Sequence, residues 1–173
     1  MKHRLAFLFV MFSLWAVFPA AHAASEMAAL LGQIAAALGA GDAAGAEKLA
    51  DDALQAGAAG PADHARPLVD RGLAREGLGR RADALLDLTA AINLGSLASD
   101  EQANALFDRG VTLDEMGRAG DAVGDYSAAI GLVPRFARAL NNRANAYRLQ
   151  GHYAEAERDY RASLAAGNAN PEY

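Results

Sequence analysis

The chain has 173 residues, 53% of them hydrophobic, 21% charged and 7% aromatic, with a formal net charge of −5 and no cysteine. That hydrophobicity supports a packed core and argues against long disordered stretches. The lack of cysteine excludes structural disulfides, thiolate metal sites and lipid attachment through a cysteine, and the acidic balance removes the general electrostatic basis for nucleic-acid binding. The apolar content is mainly Ala and Leu, which favour helix over strand.

The first element in chain order is a leader. Met1-Lys2-His3-Arg4 is basic, Leu5 to Phe18 is apolar except for Ser13, and Ala21-His22-Ala23 places small residues where a signal peptidase reads. The apolar run of 14 residues is shorter than the roughly 20 that span a bilayer. Residues 1–23 are therefore expected to be a secretory signal cut after Ala23, with 24–173 as the mature domain. Such a domain is secreted across the inner membrane, with the periplasm as the expected location and no membrane span of its own. Removing Lys2 and Arg4 leaves 14 basic residues against 21 acids, a net charge of −7.

The rest of the chain repeats. Units starting at Met27, Ala65, Ala103 and Ala137, spaced by 38, 38 and 34 residues, align on Gly41, Gly79, Gly117 and Gly151 at the fifteenth place. In this register the fourth place holds Leu30, Leu68, Leu106 and Leu140, and the twentieth holds Ala46, Ala84, Ala122 and Ala156. The twenty-seventh holds Ala53, Ala91, Ala129 and Ser163, and the twenty-eighth Leu54, Ile92, Ile130 and Leu164. Apolar spacing within each half-unit is helical, as in Leu85, Leu88 and Ile92. Each fifteenth-place glycine follows a helical segment, where a positive φ ends the helix. Small residues at the eighth place (Gly72, Gly110, Ala144) let two antiparallel helices approach, and Leu88, Tyr126 and Tyr160 at the twenty-fourth fill the space between them. The pattern predicts four helical hairpins over about 27–60, 65–98, 103–136 and 137–170. Ser25 precedes the first helix, Ser99-Asp100-Glu101-Gln102 reads as a capping box opening the third unit, and Pro134 precedes the fourth. Two four-residue insertions, Pro61 to His64 and Ser99 to Gln102, fall between units, where a solenoid tolerates them.

These columns resemble the tetratricopeptide repeat family. The match is fullest over Ala103 to Phe136, through Leu106, Gly110, Gly117, Ala122, Tyr126, Ala129 and Pro134. It is nearly as full over Ala137 to Asn170, through Ala144, Tyr147, Gly151, Tyr153, Ala156 and Tyr160, fair over Ala65 to Ala98 and weakest over Met27 to Gly60. The resemblance implies an all-α solenoid of four helix-turn-helix repeats in a right-handed superhelix. It also implies that the first helix of each pair lines a concave groove that takes a peptide or protein segment, without catalysis. The family's clamp for acidic C-terminal tails is not expected, because its N-terminal places hold Leu31 and Ala35.

Arg occupies the seventh place and Asp the twenty-third in the same three units, which predicts the ion pairs Arg71–Asp87, Arg109–Asp125 and Arg143–Asp159 between paired helices. Groove positions are the second, fifth, sixth, ninth and twelfth. In the last unit these are Arg138, Asn141, Asn142, Asn145 and Arg148, a polar stripe whose Asn amides both donate and accept toward a peptide backbone. In the third they are Asn104, Phe107, Asp108, Val111 and Asp114, and in the second Arg66, Val69, Asp70, Leu73 and Glu76. The expected groove is acidic and apolar in the middle and basic with Asn at its C-terminal end. Pro67 leaves the start of its helix, and so the placement of Arg66, open.

Met27 to Gly39 carries no charge, with Met27, Leu30, Leu31, Ile34 and Leu38 among alanines. A terminal solenoid helix normally needs a polar outer face. This one therefore suggests either docking of a second copy, a homodimer through the N-terminal helix, or a loosely held end. The histidines after the leader, His64 and His152, lie near turns without ligand neighbours, and no nucleophile elbow, phosphate loop or zinc motif occurs. No enzyme, cofactor or metal site is expected. Two functions stay open: an exported adaptor that binds a peptide or protein in its groove, and a self-associating structural subunit of a cell-envelope complex.

Overall fold

The computed structural model describes residues 22–56 and 61–167. The described residues form eight α-helices and one short 3-10 turn, with no strand among them. In order these are α1 (22–39), α2 (Ala43–Gln55), the 3-10 turn Pro61–His64, α3 (Ala65–Gly77), α4 (Arg81–Leu94), α5 (Ser99–Glu115), α6 (Ala119–Leu132), α7 (Ala137–Leu149) and α8 (Tyr153–Gly167). The leader reading falls almost wholly outside the described residues, which begin at His22.

The repeat register accounts for the hairpins. Gly41, Gly79, Gly117 and Gly151 have φ of 75°, 74°, 76° and 81°, the left-handed region that only glycine enters without strain. The residue after each glycine donates back across the turn: Asp42 N to Ala37 O at 2.9 Å, Arg80 N to Arg75 O at 2.8 Å, Arg118 N to Leu113 O at 2.8 Å and His152 N to Tyr147 O at 2.9 Å. This closes the first helix of every unit and satisfies one of its terminal carbonyls.

Each helix packs on its chain neighbours, and α3 with α5 and α5 with α7 also touch, so the first helices share one face. Small residues set the approach. A Cβ built on Gly110 would lie 2.6 Å from the Tyr126 ring, and one on Gly72 would lie 3.0 Å from Leu88 Cγ. Leu88 and Tyr126 are fully buried in these gaps.

Two helix starts differ from the sequence reading, and a third that it left open is settled. Ser25 lies inside α1, which is already helical at His22, the first described residue. The N-cap of α5 is Ala98, so Ser99 is the first helical residue; half of the box survives, because the Glu101 carboxylate accepts from Ala98 N at 3.3 Å. Pro67 does not delay α3, which begins at Ala65. In the first turn a proline's missing N–H has no intrahelical acceptor to lose.

The uncharged stretch of α1, residues 27–39, is not an exposed apolar face either. Ile34 is fully buried with Ala46, Ala50, Ala53 and Ala74, and Met27, Leu30, Leu31 and Leu38 pack against that cluster. What that stretch turns outward is small apart from Gln33: Ala28, Ala29, Gly32, Ala35 and Ala36 are exposed with it. The large apolar side chains that suggested docking of a second copy pack against the chain's own core, Ile34 fully buried and Met27, Leu30, Leu31 and Leu38 partly so.

Candidate functional site: the groove lined by the first helices

The three repeated ion pairs form and are bidentate. Arg71 reaches Asp87 at 2.9 and 2.7 Å, Arg109 reaches Asp125 at 2.7 and 2.7 Å, and Arg143 reaches Asp159 at 2.6 and 3.0 Å. Hydrogen bonding to the aspartate raises the pKa of all three guanidiniums. Each arginine also reaches back to the second helix of the preceding unit: Arg71 to Asp51 at 2.8 Å, Arg109 to Thr89 at 3.4 Å and Arg143 to Ser127 at 2.9 Å. The arginines therefore clasp units together as well as helices within a unit. The acceptors occupy one repeat position, the twenty-fifth, and an oxygen-bearing side chain in that column was the signal for them.

With these arginines committed to the frame, the shared face of α3, α5 and α7 is left to other residues. It holds a groove of about 340 Å³ lined by Arg66, Val69, Asp70, Leu73, Leu97, Glu101, Asn104, Asp108 and Arg138. The groove thus brings together residues predicted separately from the second, third and fourth units. Val69, Leu73 and Leu97 give it an apolar wall. Arg66 spans its mouth, with Nε 3.1 Å from Asp70 and Nη1 2.8 Å from Glu101. Leu97 and Glu101 were not predicted. Leu97 is the thirty-third residue of the second unit and Glu101 lies in the insertion that follows it, so the end of that unit and the insertion together close one side of the groove.

The other predicted residues are distributed by packing. Phe107, 7% exposed, lies in the core against Tyr126 and Phe136, with ring centroids 5.9 and 5.2 Å apart. It meets the groove through Arg138, whose guanidinium sits 4.9 Å from the Phe107 centroid and 5.6 Å from that of Phe136. Val111 packs half-buried on the same core. Asn104 is exposed and donates to Asp100 O at 2.9 Å, so its amide oxygen faces outward. Asn141 and Arg148 are exposed, whereas Asn142 lies against the Tyr126 hydroxyl and Asn145 accepts from Tyr160 at 2.5 Å. Asn141, Asn142, Asn145 and Arg148 are not among the groove's lining residues.

Burial dominates the electrostatics of this face. It pushes the Asp108 carboxyl up to about 6, helped by the charge of Glu76 and opposed by Arg138. Burial also raises Asp70 against the pull of Arg66, and Glu76 against a hydrogen bond from Thr112 at 2.7 Å. Asp114 is raised by burial while Tyr126 donates to it at 2.8 Å, and Tyr126 itself is pushed up by burial and by that carboxylate.

A second hollow of about 270 Å³ adjoins the groove, shares Asn104 and Arg138, and is walled by Val133, Phe136 and Ala166. A larger open cleft of about 490 Å³ between α4, α5 and α6 is lined by arginines already paired, Arg109 with Asp125 and Arg118 with Asp121. Among the described residues no cluster of His, Asp and Glu could hold a metal ion, and no helix is long and apolar enough to cross a membrane. The groove sets an apolar wall beside exposed polar and charged side chains.

Comparison with known proteins agrees with this geometry. A tetratricopeptide repeat family model matches residues 137–169, the fourth unit. Among curated proteins none matches the chain. The fold is that of solved tetratricopeptide solenoids. The crystal structure of MamA aligns with a TM-score of 0.72 at 22% identity, covering 85% of this chain and 81% of MamA. A tetratricopeptide repeat protein from Parabacteroides merdae aligns with a TM-score of 0.69 at 22% identity, over 83% of this chain and 54% of that one. YrrB, described as having an unusual peptide-binding site, aligns with a TM-score of 0.65 at 20% identity, over 81% of this chain and 68% of its own.

Proposed function

We propose that this chain is an exported adaptor that holds a segment of another polypeptide in the groove of α3, α5 and α7. The observation that carries the reading is the convergence of Arg66, Asn104, Asp108 and Arg138 from three units on one groove with an apolar wall. A peptide needs both an apolar seat for a side chain and donors and acceptors for its backbone. Export follows from the composition of residues 1–23, and the periplasm is the compartment such a leader serves. The likeness to YrrB supports a peptide as the ligand class.

The reading is tested by placing a photo-crosslinking amino acid at Asn104 in the groove, or at Leu86, 70% exposed on α4, and irradiating in envelope extract. A discrete adduct from position 104, absent from position 86 and lost with Arg138→Glu, is expected. Equal labelling from both positions, or an adduct unchanged by Arg138→Glu, would overturn it.

A further inference from the structure

The solenoid's two ends match each other in the way its internal units do. Inside the array, the first helix of each unit offers small residues to the preceding unit. Ala105 and Ala139 at the third place, and Ala74 and Thr112 at the tenth, are all fully buried. Ala105 sits in a cluster with Leu88 and Ala91 of the preceding unit, and Ala74 in one with Ala46, Ala50 and Ala53. The second helices supply the large partner at the twenty-eighth place, where Ile92 and Ile130 pack half-buried.

The same positions stand open at the ends. On α1 the third and tenth places are Ala29 and Ala36, small like their counterparts but exposed. On α8 the twenty-eighth place is Leu164, 67% exposed, and Tyr153 at the start of that face is 70% exposed. Inside the array the seventh and twenty-fifth places form a donor–acceptor pair across every joint. At the ends the residue types are exchanged but still complementary: Arg161 on α8 pairs with Glu157 at 2.6 Å through one nitrogen and has other N–H groups to donate, and the exposed Gln33 on α1 carries an amide oxygen that can accept. Residues 27–39 carry no charge to repel the approach.

We infer that the chain self-associates head to tail, with α8 of one copy seated on α1 of the next as though it were another internal joint. Such a contact is heterologous, so each added copy leaves a fresh end exposed and the assembly grows as an open array. It uses neither the groove nor the large apolar residues of α1, so it stands or falls apart from the proposed peptide binding.

The test uses two surface variants, Ala36→Glu to block the α1 end and Leu164→Glu to block the α8 end, in sedimentation velocity from micromolar to about millimolar protein. Both side chains are exposed in a single copy, so circular dichroism melts should match wild type. Wild type is expected to grow beyond dimer with concentration, and each variant to remain a monomer. An equimolar mixture of the two should stop at a dimer, since only one open α8 face then meets one open α1 face. A wild type that stays monomeric throughout, a single variant that still associates, or a mixture that stays monomeric would each overturn the inference.

Discussion

Arg109→Met isolates the energetics of the clasp. Asp125 is only 8% exposed, and Arg109 is its bidentate partner at 2.7 and 2.7 Å. Removing the guanidinium leaves a carboxylate buried between α5 and α6 without its cation, which costs about 3 kcal/mol. For a protein of this size that is a fall in Tm of roughly 6–12 °C. Arg71→Met removes the equivalent group from Asp87, but Arg75 still donates to Asp87 at 2.7 Å. Arg71 also gives up its bond to the partly exposed Asp51 at 2.8 Å, but no buried carboxylate is left without a cation, so the loss should be about 1.5–2 kcal/mol, the low end for a hydrogen bond to a charged group. The double variant Arg109→Met/Asp125→Leu replaces the pair by apolar groups and should recover most of the loss. Urea denaturation of wild type, both arginine variants, Asp125→Leu and the double variant measures all of these. Strictly additive losses for Arg109→Met and Asp125→Leu, or an Arg71→Met loss as large as that of Arg109→Met, would refute the reasoning.

Two glycine substitutions should move stability in opposite directions in thermal melts. Gly110→Ala places a methyl 2.6 Å from the Tyr126 ring and should cost about 1–3 kcal/mol, whereas Gly124→Ala, in mid-helix with nothing within 4 Å, should add about 0.5–1 kcal/mol. Asp108 gives a pH signature: its carboxyl rises from 3.8 unfolded to about 6 folded, so the folded chain holds the proton more tightly. Its contribution is therefore fully present below about pH 4 and lost as pH rises through 6. Asp108→Asn should flatten that decline and stabilise the protein at pH 7 by about 2 kcal/mol, as read from denaturation midpoints across pH.

The hairpins were legible because one glycine column and one alanine column carry the geometry. The arginine–aspartate pairs were legible because both residues are missing together from the first unit. The groove was legible only in part. Position in the repeat predicts which helix face a residue occupies, but not whether a neighbour has already claimed its side chain. Asn145 lies on the predicted stripe and accepts from Tyr160, a contact set by a residue fifteen positions later. Phe107 is on the same face, yet its ring is large enough to reach the core beneath. Glu101 lies in the insertion, outside the repeat register, and Leu97 follows the last helix of its unit, which ends at Leu94, so helical periodicity could assign neither a face. Which side of α1 carries its bulk was not legible, because mean apolar content does not say how large and small apolar residues divide between the two faces of a helix.

The joint between the first and second units is built unlike those that follow. Its core cluster is largely alanine, with Ile34 the one large side chain in it that is fully buried. It is held by Asp51 to Arg71, by Glu47 to Arg75 and by Glu47 to Arg80, at 2.8, 2.9 and 2.8 Å. In a stack where each unit leans only on its neighbours, stability is a string of local terms. A joint rich in partly exposed ion pairs and poor in buried carbon weakens more with ionic strength than the next one, which sets the buried Leu88 beside its own exposed pair of Arg66 and Glu101. Unravelling should then begin at the N-terminal unit, and the salt content of its surroundings should set how often that end opens.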